Sequence, residues 1–147
     1  GKDEMFPPSI GILIENPSFV AEYTGLKNLE MLACIKNKIE IEDIRHAMEQ
    51  VGLDPGDKRT YKKYSLGMKQ KLGIAAAFME KPDIIILDEP INALDEAGAK
   101  QVHKILEEQK KRGALIIIAC HDKEELEMLS DEIIEIYEGR IVAGEKE

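Results

Sequence analysis

What this chain has little of narrows it first. Its 147 residues hold two cysteines, Cys34 and Cys120, far apart and without metal-type spacing. They read as buried free thiols of a cytosolic protein, although the count permits one bridge. Cys120-His121 has no second Cys or His nearby in sequence, so a zinc site is not expected. No stretch approaches eighteen apolar residues, so no membrane-spanning helix is expected. Gly1-Lys2-Asp3-Glu4 carry no apolar run of the signal-peptide kind. No internal repeat or low-complexity linker breaks the chain. What remains, 44% hydrophobic and 33% charged residues, is the composition of a globular domain. The length suits one domain whose core needs no disulfide staples.

Basic residues, 20 against 29 acidic ones, are outnumbered, and unevenly so. The net charge is -9. Residues 122–147 carry ten acids and three bases, whereas the first 121 residues carry nineteen acids and seventeen bases. An acidic chain argues against general nucleic-acid binding, and no nucleic-acid partner is expected. One stretch runs the other way: Lys58, Arg59, Lys62, Lys63, Lys69 and Lys71 occur without an intervening acid. On charge alone this is a solvated loop and helix face, yet it leaves room for a phosphate-bearing ligand.

Hydrophobic patterning predicts the elements. Ile10 to Ile14 reads as a buried strand after Pro7-Pro8, closed by a loop at Glu15-Asn16-Pro17-Ser18. Leu26, Leu29, Leu32 and Ala33, broadened by Met31 and Ile35, predict a helix over Gly25 to Lys36. Ile44, Ala47, Met48 and Val51 predict another over Ile41 to Val51, stopped by Gly52. Leu66 to Met79 is a third helix with Ser65 as its N-cap. The methionines at 31, 48, 68, 79 and 128 fall mostly on helix faces and read as core filler. His46 and His103 lie within helices and read as structural or solvated. Ile84 to Leu87 and Leu115 to Ala119 are continuous apolar runs, predicted as strands buried on both faces. A helix over Glu96 to Arg112 separates them and ends at Gly113. A short helix over Asp122 to Leu129 precedes a hairpin of Ile133–Tyr137 and Arg140–Ala143 around Glu138-Gly139. Strand, helix and strand in alternation predict a parallel α/β sheet.

Two segments carry chemistry. In Ile84-Ile85-Ile86-Leu87-Asp88-Glu89-Pro90 the acids fall at the C-terminal end of a strand, where open α/β sheets bind ligands. Asp88 offers the hard oxygen that Mg²⁺ prefers, and Glu89 can orient or deprotonate a water. Read by itself, this is nearly as well explained by two solvated acids opening a turn. In Tyr64-Ser65-Leu66-Gly67-Met68-Lys69-Gln70, Ser65 caps a helix whose free N–H groups favour an anion. Gly67 permits close approach to the backbone, and Lys69 adds positive charge. Read by itself, this is a capped surface helix.

Their order says more. Ser65 precedes Asp88 by 23 residues, Asn92-Ala93-Leu94-Asp95 follows, and His121 stands 32 residues after Glu89, directly after a strand. In this the sequence resembles the nucleotide-binding domain of ATP-binding cassette (ABC) transporters from about Ile10 to Val142. Tyr64 to Gln70 resembles the signature motif, Ile84 to Glu89 the Walker B strand, Asn92 to Asp95 the D-loop, and His121 the switch histidine. The resemblance implies a P-loop NTPase-type (RecA-like) α/β core with a helical signature subdomain. Its parts would be a core strand and Q-loop over residues 1–19, the helical subdomain over 20–82 and the rest of the core over 83–147. It implies ATP and Mg²⁺ as ligands. Asp88 would hold the metal, Glu89 would act on the attacking water, and His121 would contact the γ-phosphate. Asp95 would couple two sites of a dimer, Ser65 and Gly67 would reach the partner's ATP, and Glu15 would sit at the Mg²⁺-sensing Q-loop position. Implied partners are a second nucleotide-binding domain and a transmembrane permease subunit, at the cytoplasmic face of the membrane.

The departures are specific. Tyr64, Leu66 and Met68 replace the usual Leu, first Gly and Gln of the signature, and Glu15 stands where Gln is usual. Both features resemble the branch that exports bacteriocins, lantibiotics or drugs. No Gly-x-x-x-x-Gly-Lys-Ser/Thr occurs, so the cradle for the β- and γ-phosphates is missing from these residues. The expectation is a C-terminal fragment of such a domain, inactive by itself. A non-catalytic module would be expected to have lost Glu89 or His121 as well. A DNA-maintenance ATPase would place coiled-coil arms where only 50 residues separate Glu15 from Ser65.

Overall fold

A computed structural model describes residues 9–15 and 17–146. Pro7-Pro8, Asn16 and the first eight residues of the expected 1–19 segment lie outside the described residues. The elements are β1 (Ile10–Leu13), α1 (Gly25–Lys36), α2 (Ile41–Gln50), α3 (Leu66–Phe78), β2 (Ile84–Asp88), α4 (Glu96–Lys111), β3 (Leu115–Ala119), α5 (Lys123–Leu129), β4 (Glu132–Tyr137) and β5 (Arg140–Lys146). A short 3-10 turn at Tyr61–Lys63 was not anticipated. No helix among the described residues is long and apolar enough to cross a membrane.

Three parallel strands form one sheet in the order β1-β2-β3, with Leu13 opposite Leu87 and Asp88 opposite Ala119. The register brings the three strand ends, and the residues that follow them, to one edge. β4 and β5 form a separate antiparallel hairpin. Its turn residues Glu138 and Gly139 both have positive φ, 47° and 75°, as two-residue hairpin turns with matching twist require.

Caps set the helix limits. Thr24, Ser65, Asp95 and Asp122 each accept a backbone N–H of the first turn of α1, α3, α4 and α5, which satisfies donors that the helix itself leaves free. The helices end a residue earlier than the periodicity predicts at Val51, Met79 and Arg112, which serve as C-caps. Asn28 on α1 is buried and ties down the preceding loop. Its carboxamide oxygen accepts from the Val20 N–H at 2.8 Å, and its Nδ2 donates to the Val20 and Thr24 carbonyls.

The core joins helices to one sheet face. Leu29, Met48, Leu72, Ile74, Ile85, Leu87 and Val102 are fully buried. α3 lies so close to β1 that a side chain on Gly11 would run into the Ala77 carbonyl. The other sheet face is not sealed. Ile12 and Ile117 are 47% exposed and Leu115 57%, with Ile84 and Ile86 half-buried. This corrects the expectation of strands buried on both faces: α3 and α4 pack on the Gly11–Leu13–Ile85–Leu87 side, and the alternate residues point away from them. The apolar face of α1 is likewise narrower than expected. Leu29 and Ala33 are buried, but Met31, Leu32 and Ile35 are exposed, Ile35 at 78%. Met128 is also exposed and is not core filler. Both cysteines are free, but Cys34 is exposed and Cys120 half-buried, because Cys34 falls on the outward side of α1.

Candidate functional site

The C-terminal edge of the sheet gathers Glu15, Asp88, Glu89 and His121 of the predicted residues. Asp88 is the last residue of β2 and is half-buried. Glu89 follows with φ 47°, a left-handed conformation that costs a non-glycine residue about 1–2 kcal/mol. Its N–H donates to the Ala119 carbonyl at 2.8 Å, so pairing with β3 continues one residue past β2. The Glu89 carboxylate meets the residues after β3. Its Oε1 lies 2.6 Å from His121 Nδ1 and accepts the His121 backbone N–H at 3.1 Å. Cys120 Sγ lies 3.6 Å from Oε2 and 3.2 Å from the Glu125 carboxylate.

This contact moves both groups electrostatically. Partial burial pushes the Glu89 carboxyl up, but donation from the His121 ring and backbone N–H together pulls it below the usual carboxylate range. His121 is raised, chiefly by its hydrogen bond to Glu89 and then by that carboxylate's charge. The Cys120 thiol is pushed up to about 11, first by burial, with Glu125 and Glu89 adding to the effect and the Asp122 backbone opposing it. His121 itself stays open, its side chain 83% exposed, so the imidazole can turn to another acceptor.

The other predicted residues have mixed placements. Glu15 is exposed just beyond β1, with φ 52°. Asp88 thus ends β2 and Glu15 lies just beyond the adjacent β1, and both offer the hard carboxylate oxygens that Mg²⁺ prefers. The Ser65 hydroxyl accepts from the Met68 N–H at 3.2 Å, as a cap. Gly67 sits where an added Cβ would come 3.0 Å from the Ala93 carbonyl oxygen, so the start of α3 touches the turn before α4. The Lys69 ammonium lies 5.2 Å from the Tyr61 ring centroid, an engagement that the sequence did not announce. The Asp95 carboxylate accepts from the Gly98 N–H at 2.8 Å. Part of the basic stretch is neutralised locally: Arg59 pairs with Asp57, and Lys62 with Glu22.

One residue of the run from Tyr64 to Gln70 has a buried role that the sequence reading does not assign. Gln70, 8% exposed, donates from Nε2 to the Glu89 carbonyl at 2.9 Å and to the Pro90 carbonyl at 3.1 Å. Its neighbours Lys69 and Lys71 disguise it as part of a solvated face. The available signals were its place at the end of that run and an uncharged amide among basic residues.

A cleft of about 320 Å³ adjoins this region, lined by Pro17, Phe19, Tyr61, Leu66 and Lys69 among others. Phe19 and Tyr61 meet edge to face in its wall at 5.3 Å.

Along most of its length the chain is similar to known proteins. A family model described as ABC transporter matches residues 2–92. An uncharacterized ABC transporter ATP-binding protein of Bacillus subtilis (strain 168) is 46% identical over 99% of this chain and 66% of its own length. A bacitracin transport ATP-binding protein of Enterococcus faecalis is 40% identical over 90% of this chain and 44% of its own. A lantibiotic transport ATP-binding protein of Streptococcus pyogenes is 40% identical over 90% and 58%. The chain therefore spans between about two-fifths and two-thirds of the length of these relatives. Among solved structures, an ATP-binding subunit of an ABC transporter superposes with TM-score 0.83 at 27% identity, covering 92% of this chain and 58% of that one. An ATP-binding cassette dimer bound to ADP and Pi superposes with TM-score 0.84 at 20% identity, covering 94% and 62%, a likeness of fold.

Proposed function

Because this chain belongs to the ABC transporter family, we propose that it forms the signature and Walker B part of an ATP-hydrolysing subunit that drives export across a membrane. The carrying observation is the Glu89–His121 contact at the C-terminal edge of a parallel sheet, beside Asp88. Glu89 is the carboxylate that acts on the attacking water. Held ionised by His121, it is a poor proton acceptor and a good hydrogen-bond acceptor, suited first to orienting that water. His121, exposed and readily protonated, donates to a terminal phosphate oxygen once nucleotide is present. That exchange releases Glu89 from its partner and restores its basicity as the substrate arrives. Asp88 and Glu15 would hold Mg²⁺, which when bound neutralises charge on the phosphates.

Ser65 and Gly67 offer the α3 N-terminus to a nucleotide held by a second nucleotide-binding domain, and Asp95 lies in the turn that links the two sites. Residues 20–60 of the helical part would dock a cytoplasmic helix of a permease subunit, at the cytoplasmic face of the membrane. The Ser65-Leu66-Gly67-Met68-Lys69-Gln70 run and Glu15 support an export system of the kind that moves peptide antibiotics. The 147 residues hold no Gly-x-x-x-x-Gly-Lys-Ser/Thr, so by themselves they are expected to bind Mg-ATP weakly or not at all. In the assembled transporter, Glu89→Gln is expected to lower steady-state hydrolysis by at least about 100-fold while leaving ATP binding in place. Unchanged turnover would remove Glu89 from this role.

A further inference from the structure

We propose that Gln70 is a positioning residue, whose side-chain amide reaches from α3 to hold the backbone of Glu89 in the conformation that presents its carboxylate to His121. The proposal rests on the reading of Glu89 as the working carboxylate.

Three ties define the Glu89 backbone. Its N–H is fixed to Ala119 at 2.8 Å, and its carbonyl accepts from the Asn92 N–H at 3.2 Å and from Gln70 Nε2 at 2.9 Å. The first two are made within the core and within the turn itself. Only the third comes from the helical part of the chain. The turn has particular need of it. Glu89 pays for a positive φ, and such strain persists only where the surroundings over-determine it. Pro90 is fully buried, so its carbonyl is shut off from water and needs a donor from within the protein. Gln70 Nε2 supplies it to two successive carbonyls.

The residue type fits the task. A carboxamide donates without introducing a charge next to Asp88, Glu89 and His121. A Lys in its place would bring a positive charge to the turn, and a Glu would set a carboxylate against two carbonyl oxygens. Gln70 also stands five residues after Ser65, on the first turns of α3. A displacement of the α3 N-terminus is therefore felt directly at the Glu89 carbonyl.

The test uses the ¹⁵N-labelled chain without nucleotide. Gln70→Met keeps the bulk and removes the donor, and Gln70→Glu keeps the shape and reverses the polarity. Either change is expected to reduce hydrogen-exchange protection of the Glu89 and Asn92 amides by about tenfold. Amides in the middle of α4, at Val102 for example, should keep theirs. The His121 ring shifts at fixed pH should move toward those of Glu89→Gln, a response that lost helix packing would not produce. Unchanged turn amides, or protection lost evenly across the chain, would overturn the proposal. So would failure of both variants to fold, since a positioning role leaves the fold standing. None of these readouts requires hydrolysis, so they fail separately from the catalytic reading, which rests on the turnover of Glu89→Gln.

Discussion

Replacing Gly11 with alanine measures how tightly the sheet and the helical part are joined. The added methyl would overlap the Ala77 carbonyl oxygen and come 2.8 Å from its carbon and 2.9 Å from Pro82 Cγ. Two of these three atoms are backbone in α3, so no rotamer change removes the clash. Either α3 or β1 has to shift, and Leu13 and Leu72, both buried, shift with it. Overpacking of this kind costs about 1–3 kcal/mol where side chains can yield, and here the upper end applies. With a urea m-value of about 2 kcal/mol/M, the midpoint should fall by about 1.5 M. Gly139→Ala is the control. It meets nothing within 4 Å and suffers only from its φ of 75°, a cost of about 1 kcal/mol. The assay is urea unfolding followed by circular dichroism, with m compared between variants. A Gly11→Ala midpoint no lower than that of Gly139→Ala would refute the close approach of α3 to β1.

The Glu89–His121 pair predicts a pH window. His121 is raised in the folded chain, so its contribution is fully present below the ordinary histidine value of about 6.5 and is lost as pH rises through the folded value. Glu89 is lowered, so its contribution is fully present above the ordinary carboxylate value of about 4.3 and is lost as pH falls through the folded value. An NMR titration should place the His121 midpoint above about 6.5, and Glu89→Gln should bring it back toward that value. A His121 midpoint indifferent to Glu89→Gln would contradict the pairing. The cysteines should separate by rate. Cys34 is exposed, whereas Cys120 is half-buried and its thiol is displaced from 9.0 to about 11. Two pKa units leave about a hundredfold less thiolate, so a chromogenic disulfide reagent should show one fast and one slow equivalent. Cys34→Ser should abolish the fast phase, and two equally fast thiols would count against the burial of Cys120.

Local rules made the elements legible, and what depended on distant partners was not. Ser65 announced a helix start because capping is a matter of a few adjacent residues. Ile84 to Leu87 announced a strand, but a continuous apolar run says nothing about which side has a neighbour. Ile12 and Ile117 turned out half-open for that reason. In the candidate site, Asp88, Glu89 and His121 could be found by their position after apolar runs, because strand ends share an edge in a parallel sheet. The left-handed backbone of Glu89 could not be foreseen, since nothing in its side chain favours it. Gln70 was hidden for a related reason. Its burial follows from a turn 19 residues away folding back onto α3.

The capping role of Asp95 has a mechanical consequence. Its carboxylate is committed to the Gly98 N–H and so belongs to α4 as much as to the turn before it. An N-cap of this kind is worth about 1 kcal/mol. Any acceptor-seeking group that draws the carboxylate away begins with that deficit, about a fivefold penalty in an equilibrium constant. Drawing it without uncapping means carrying the sixteen residues of α4 along as one lever. Asp95 therefore behaves as a clutch: weak contacts leave the helix engaged with the turn, and only a contact stronger than the cap lets the two slip.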